Sequence, residues 1–261
     1  MAEDEGGANR ELVEEIASSG GSLLRRAAQL LLLRPVLRAA ISLQVHGRER
    51  LRGLTGPFVV VGNHSSHFDT AAIFDALPGR LARRLSTGAA ADYFFTSPTR
   101  KLLPRLFFNV FPVDRPGKRL LGGRSHRGLA GQLLDRGVPV LIFPEGTRSR
   151  NGVLGRFTPG TARLCTTRGI PCVPAALVGA HAAWPATRKL WRRGRPPVHV
   201  TFGAPLQPRK GESSLLFGAR VQAEVLRLHD QTARAFGLPT MRELATGALR
   251  RALPGGREKR S

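Results

Sequence analysis

Four short apolar runs punctuate the chain: Phe58–Val61, Val138–Phe143, Val173–Val178 and Val198–Phe202. They are continuous rather than alternating, the pattern of strands buried on both faces. Helical patterns lie between them, at Thr70–Ala76, roughly Ser97–Asn109, about Ser125–Asp135, and Gly160–Arg168. Strands alternating with helices predict an α/β fold: a single domain with a mixed, largely parallel central sheet flanked by helices. The 261 residues suit one large domain or one domain with a helical appendage. Residues 213–236 are amphipathic through Leu215, Leu216, Val221, Val225, Leu226 and Leu228, and a last short helix is expected from Thr240 to Leu253.

The ends divide the chain further. Residues 1–21 are polar and read as a flexible lead-in, residues 22–46 as an N-terminal helical segment, 47–236 as the main domain, and 237–261 as a C-terminal helix and basic tail ending in "PGGREKRS". Within Ser22–Leu43, Pro35 marks a break or restart. Beyond it, Val36, Leu37, Ala40, Ile41 and Leu43 share one arc at about 100° per residue. Before it, leucines run most of the way round, flanked by Arg25, Arg26 and Arg34. That combination fits a helix lying in a membrane interface, or one packed on the domain's own core.

Charge is the outlying bulk property: 41 basic against 18 acidic residues give +23, nearly all of the excess arginine. Such a field favours polyanionic partners, namely nucleic acid, an anionic membrane or phosphorylated substrates, although a GC-rich genome also raises the arginine content. No RRM, zinc-finger or basic-zipper signature accompanies it, so a nucleic-acid partner is not expected. Cys165 and Cys172 form no C-x-x-C pair. The opening "MAEDEGGANRELVEE" is acidic and polar, without a visible signal peptide, and no apolar run approaches the ~18 residues of a membrane span. Membrane contact is therefore expected to be peripheral or monotopic, at the cytoplasmic face.

The densest chemistry is "NHSSHFD", Asn63–Asp69. On one continuous helix, His64 and Asp69 would point about 140° apart. They meet only if His64 lies in the turn after the Phe58–Val61 strand and a helix starts at about Ser65 or Ser66. Asp69 can then reach back to an imidazole nitrogen, fix its tautomer and stabilise the imidazolium, making a general base with its orienter. The same letters admit a metallohydrolase reading, with His64, His67 and Asp69 as ligands, but no second ligand cluster supports it and no metal is expected.

"NHSSHFD" resembles the H-x4-D signature of the glycerolipid acyltransferases. The family's other blocks follow in order: "NVFPVDR" at Asn109–Arg115, "FPEGTRSR" at Phe143–Arg150 and "IPCVPAALVGA" at Ile170–Ala180, with "VHVTFGAPL" after them. The resemblance covers about residues 35–235, which makes 47–236 an acyltransferase domain. It implies acyl transfer from acyl-CoA or acyl-ACP, as co-substrate and with no other cofactor, to the hydroxyl of a lysophospholipid. The acceptor it implies is 1-acylglycerol 3-phosphate, giving phosphatidic acid; glycerol 3-phosphate or another lysolipid is the alternative. It implies His64 as the base, oriented by Asp69, with no acyl-enzyme. "GRSHRG" at Gly123–Gly128 is one residue too long for a G-x-S-x-G elbow.

The later blocks are implied to form the acceptor site: Arg115, Glu145, Gly146, Thr147 and Arg148. The two arginines suit a bidentate phosphate clamp. Gly146 permits close backbone approach at a strand end, and Glu145 is left to accept from an acceptor hydroxyl or to pair with an arginine. One position departs from the family pattern: Asn109 stands where the second block usually begins with glycine. Asn tolerates left-handed backbone better than most residues. The preceding "TRKLLPRLFFNVF" reads either as a membrane-facing ridge or acyl-chain wall or as a buried helix. His67 reads as local packing or hydrogen bonding. His46, His126, His181, His199 and His229 show no spacing pattern. Trp184 and Trp191 lie among Arg188, Arg192, Arg193 and Arg195, in a membrane-interface or a solvated basic loop.

Overall fold

The computed structural model describes residues 2–19, 23–90, 106–113 and 128–252. Its centre is a seven-stranded sheet: β1 (Ser42–His46), β2 (Val59–Gly62), β3 (Ser86–Ala90), β4 (Val110–Val113), β5 (Val140–Ile142), β6 (Cys172–Val178) and β7 (Pro197–Phe202). The spatial order is β1-β7-β6-β2-β5-β3-β4. Every pairing is parallel except β6 with β7. The α/β expectation thus holds, with the four apolar runs forming β2, β5, β6 and β7.

Helices cover both faces. Along β2 and the residue before it the alternation is visible residue by residue: Phe58 and Val60 join a core with Leu37, Ile73 and Phe202, while Val59 and Val61 join one with Leu133, Phe217 and Val221. After α2 (Leu23–Ala28), the first face is covered by a π turn (Gln29–Leu33), α3 (Arg34–Ala40), α4 (Asp69–Ala76) and the short α5 (Gly79–Ala82). The second is covered by α1 (Ala2–Ser19), α6 (Leu129–Asp135), α7 (Pro159–Arg168) and α9 (Ser214–Ala235). A short α8 (Ala180–Ala183) follows β6, and α10 (Met241–Ala252) closes the described chain. Helix α9 starts on Ser213, whose side chain accepts from the Leu216 N–H, and it buries Phe217, Val221, Val225 and Leu228. Truncating Phe217, which is fully buried, to alanine costs about 3–5 kcal/mol.

Three findings correct the sequence reading. Residues 2–19, expected to be a flexible lead-in, are helical; Val13 and Ile16 are buried against α6 and its neighbours, and Glu14 pairs with Arg136 at 2.6 Å. The N-terminal helical segment does not reach residue 46: it ends at Ala40, and Ser42–His46 becomes edge strand β1, parallel to β7. Pro35 sits in the first turn of α3, directly after a π turn, so the helix restarts about where the sequence places its break. Strands β3 and β4 were not foreseen. Most of the segment expected as a helix over Ser97–Asn109 lies outside the described residues.

Candidate active site

The site lies at the C-terminal ends of β2 and β5, where parallel α/β sheets leave space for ligands. Strand β2 ends at Gly62 and helix α4 begins at Asp69, so His64 falls in the connecting turn, as the spacing of five requires. Asn63 sets where that turn starts. Its side-chain amide donates to the Leu177 carbonyl at 2.9 Å and its oxygen accepts from the Leu177 N–H at 2.8 Å. The side chain continues the β2–β6 ladder for one more rung while its backbone turns away.

His64 Nδ1 lies 2.8 Å from Asp69 Oδ2. A carboxylate only accepts, so Nδ1 carries the proton and Nε2 presents a lone pair. The same Oδ2 accepts from the backbone N–H groups of Ser65 and Ser66, each at 2.7 Å. Asp69 is fully buried in the first turn of α4, whereas the His64 side chain is 21% exposed. The position of a carboxylate there is favoured by the N-terminal helix dipole. The imidazole stacks on Phe143, with ring centroids 4.0 Å apart and planes 13° from parallel. Nε2 has no hydrogen-bond partner among the described residues.

The turn after β5 supports this pair from below. Glu145 Oε1 accepts from the His64 backbone N–H at 2.7 Å, and Oε2 accepts from the Gly155 N–H at 2.8 Å. Burial raises the Glu145 carboxyl to about 7, against the two N–H donors that favour its ionised form; the negative charge of Asp69 adds to the rise. The Ser149 N–H returns a bond to the His64 carbonyl at 2.7 Å. A Cβ on Gly155 would stand 2.8 Å from Glu145 Oε2, so glycine is needed there for the carboxylate to reach the backbone. Gly146 has φ +70 and open space around it, so its requirement is the left-handed turn.

Of the expected acceptor residues, Gly146, Thr147 and Arg148 line the same loop as Glu145, and Arg115 lies outside the described residues. Each Glu145 oxygen accepts from a backbone donor, a bracing part that the sequence reading did not include. Arg148 reaches the His67 ring through Nη1. His67 also packs on Trp184, with ring centroids 4.6 Å apart and planes tilted by 37°, and burial together with the Arg148 charge lowers its pKa. His67 therefore acts as a neutral acceptor for the guanidinium, in keeping with the local role read from sequence. The guanidinium beside it disfavours a cation, and among the described residues no three His, Cys, Asp or Glu side chains converge on a metal-sized site. Sequence reasoning missed Asn63 as the residue that fixes the turn, and His181, whose Nδ1 lies 3.4 Å from the Ser65 carbonyl.

Asn109 has φ +50 and is 3% exposed. Its amide donates to the Ile16 carbonyl at 3.3 Å, and its carbonyl accepts from the Ser86 hydroxyl. Asparagine thus supplies the left-handed turn at the head of the second block in place of glycine, and ties it to α1.

Comparison with known proteins identifies the family. The chain is 30% identical to the 1-acyl-sn-glycerol-3-phosphate acyltransferase of Pseudomonas aeruginosa over 211 residues, covering 79% of this chain and 72% of that protein. It is 30% identical over 176 residues to the alpha form of the same-named enzyme from Bos taurus, covering 65% of this chain and 57% of that one. With the Chlamydomonas reinhardtii relative the share of the other protein is 49%, so the chain spans about half the length of several curated relatives it matches. The crystal structure of the 1-acyl-sn-glycerophosphate (LPA) acyltransferase PlsC from Thermotoga maritima superimposes with a TM-score of 0.58 at 21% identity, over 85% of this chain and 80% of that one, which is a likeness of fold. The family model described as Acyltransferase matches residues 42–178, from the first residue of β1 to the last of β6. That stretch is more than half of the chain and contains the whole His64 turn and the Glu145 loop beneath it; the chain belongs to the acyltransferase family.

Proposed function

We propose that the protein transfers a fatty acyl group from an acyl-CoA or acyl-ACP thioester to the free hydroxyl of a lysophospholipid, with 1-acylglycerol 3-phosphate as the acceptor and phosphatidic acid as the product. The observation that carries this reading is the 2.8 Å His64–Asp69 contact, with Nδ1 engaged and Nε2 without a partner among the described residues. Nε2 takes the proton of the acceptor hydroxyl as its oxygen attacks the thioester carbonyl. The imidazolium is stabilised by Asp69, which three N–H donors hold in place. The tetrahedral adduct then collapses, expelling the thiolate, which takes the proton back from Nε2. An oxygen ester forms, a thioester breaks, and the histidine ends as it began.

The acceptor is chosen from the family relatives together with the cationic Arg148, which contacts His67 on the same turn as His64. Arg115 is the second proposed phosphate ligand, and Thr147 offers a hydroxyl at the same loop. Membrane contact at the cytoplasmic face is part of the proposal: Leu24, Leu31 and Val36 of the N-terminal helical segment are 70%, 72% and 59% exposed. No described helix is long and apolar enough to cross a membrane. An acceptor-by-donor activity screen on liposomes, with the His64→Ala protein as control, tests the reading. Ester formation with lysophosphatidic acid above glycerol 3-phosphate and lysophosphatidylcholine is expected. Transfer by His64→Ala near the wild-type rate, or a covalent acyl-protein on the reaction path, rejects it.

A further inference from the structure

Residues 184–196 link α8 to β7 and lie against the catalytic turn. We propose that this segment is a docking surface for an anionic phospholipid bilayer. The inference names the partner surface of the acyl transfer proposed above and rests on that reading for its choice of lipid.

The charge argument is local. No Asp or Glu occurs anywhere between Glu145 and Glu212, while Arg188, Lys189, Arg192, Arg193 and Arg195 fall within one loop. All five are exposed, and none is paired with a carboxylate among the described residues. Between them stand Leu190 and Trp191, 75% and 41% exposed. Cations alone would suit any polyanion. A leucine left open beside a tryptophan, with arginine stems on either side, suits a surface with charge outside and hydrocarbon beneath, where the ring sits at headgroup level. The N-terminal leucines lack this density of cations, which is why the loop is assigned the anionic surface.

The segment is also built into the site. The Trp184 carbonyl accepts from the Ser66 hydroxyl at 2.8 Å and from the His67 N–H at 3.2 Å. The Arg192 N–H donates to the Ala183 carbonyl at 2.7 Å, and Trp184 Nε1 donates to the Arg188 carbonyl at 3.1 Å. Trp184 packs against His67 and Phe68, and Trp191 lies 5.4 Å from Trp184, ring to ring. A bilayer that held Trp191 would therefore hold the His64 turn at a fixed height above the headgroups, where the lysolipid hydroxyl lies.

The protein contains two tryptophans, and both are in this segment. Their emission in the full chain is thus a reporter for it. The probes are phosphatidylcholine vesicles with and without phosphatidylglycerol, made also with brominated acyl chains. A blue shift and bromine quenching are expected with the anionic vesicles alone, and both should weaken as salt rises. Arg192→Ala and Arg193→Ala should each lower vesicle affinity roughly fivefold. These variants should transfer acyl groups normally to a short-chain acceptor free in solution and slowly to one held in vesicles. Cosedimentation with anionic vesicles without any change in emission overturns the proposal, because docking then lies elsewhere. An equal emission change with a polynucleotide at matched phosphate concentration overturns it too. The His64→Ala protein separates the two readings: docking by it, with no transfer by wild type under any condition, would reject the reaction and leave the surface standing.

Discussion

The backbone N–H of His64 lies 2.7 Å from a carboxylate oxygen of Glu145, which binds the Gly155 N–H through its other oxygen. One side chain thus joins the turn after β2 to the turn after β5 without touching the His64 imidazole. Glu145→Gln keeps the shape but aims an amide N–H at one of the two donors. Wild-type Glu145 titrates near 7, above its ordinary value of 4.5. The folded protein therefore holds this proton more tightly than the unfolded chain, and its contribution to stability is greatest below about 4.5 and is lost as pH rises to about 7. The loss is on the order of 3 kcal/mol. Thermal melts across that range should show the decline in wild type and lack it in Glu145→Gln; parallel curves would mean that Glu145 does not titrate as described.

His64→Ala should reduce kcat by about 10²–10⁴-fold with the fold retained, because the ring is partly exposed and packs chiefly on Phe143. Asp69→Asn is a better probe than Asp69→Ala, which would strand the buried Ser65 and Ser66 N–H groups. The amide oxygen can still accept from these donors and from Nδ1–H, but it carries no charge to stabilise the imidazolium, so a comparable loss of kcat is expected. Circular dichroism and steady-state rates measured together decide it; wild-type turnover in either variant rejects the assigned pair.

Asn63→Ala leaves the Leu177 N–H and carbonyl without their side-chain partners inside the protein. Each buried polar group so stranded costs about 1–3 kcal/mol. A downward shift in denaturation midpoint is expected, accompanied by slower turnover because the His64 turn loses its anchor. A fall in stability with unchanged kcat would confine Asn63 to a structural role.

At Asn109 the backbone conformation and the side-chain bond are separable. Asn109→Gly keeps the left-handed turn and loses the amide bond to the Ile16 carbonyl; Asn109→Ala loses both. Alanine should therefore be the more destabilising by about 1–2 kcal/mol, measured by chemical denaturation. Equal effects would show that the turn tolerates alanine.

Arg148→Ala should raise the KM for a phosphorylated acceptor about tenfold or more, with a smaller change for an uncharged one. His67→Ala, which removes the ring that Arg148 contacts, should move KM in the same direction by less. An unchanged KM in Arg148→Ala counts against a phosphate contact at this residue.

The sequence made the centre of the sheet legible and left its margins obscure, for physical reasons. β2, β6 and β7 are buried on both faces, so their residues form unbroken apolar runs. β1 is a half-buried edge strand whose "SLQVH" continues the helical arc before it. β3 is built from small residues, "STGAA", and β4 contains Pro112, tolerated because β4 is the other edge. The N-terminal helix α1 escaped notice because its docking rests on Val13 and Ile16 among glutamates. At the site, the His64–Asp69 spacing carried the strand-to-turn geometry with it. The role of Glu145 could not be read, since a carboxylate that binds backbone leaves no pattern in side-chain types.

The one antiparallel pairing among the described strands, β6 with β7, also orients the chain's entry. β1 follows β7, with Ser42 opposite Pro197, so both strands begin at the end of the sheet where β2 and β6 finish. The helices that precede β1 and the tryptophan loop that precedes β7 consequently arrive from the side of the His64 turn. Had β7 run with its neighbours, that loop would have had to emerge at the opposite pole, and the exposed leucines with it. Reversing two marginal strands turns a fold whose sides are otherwise alike into one with a front.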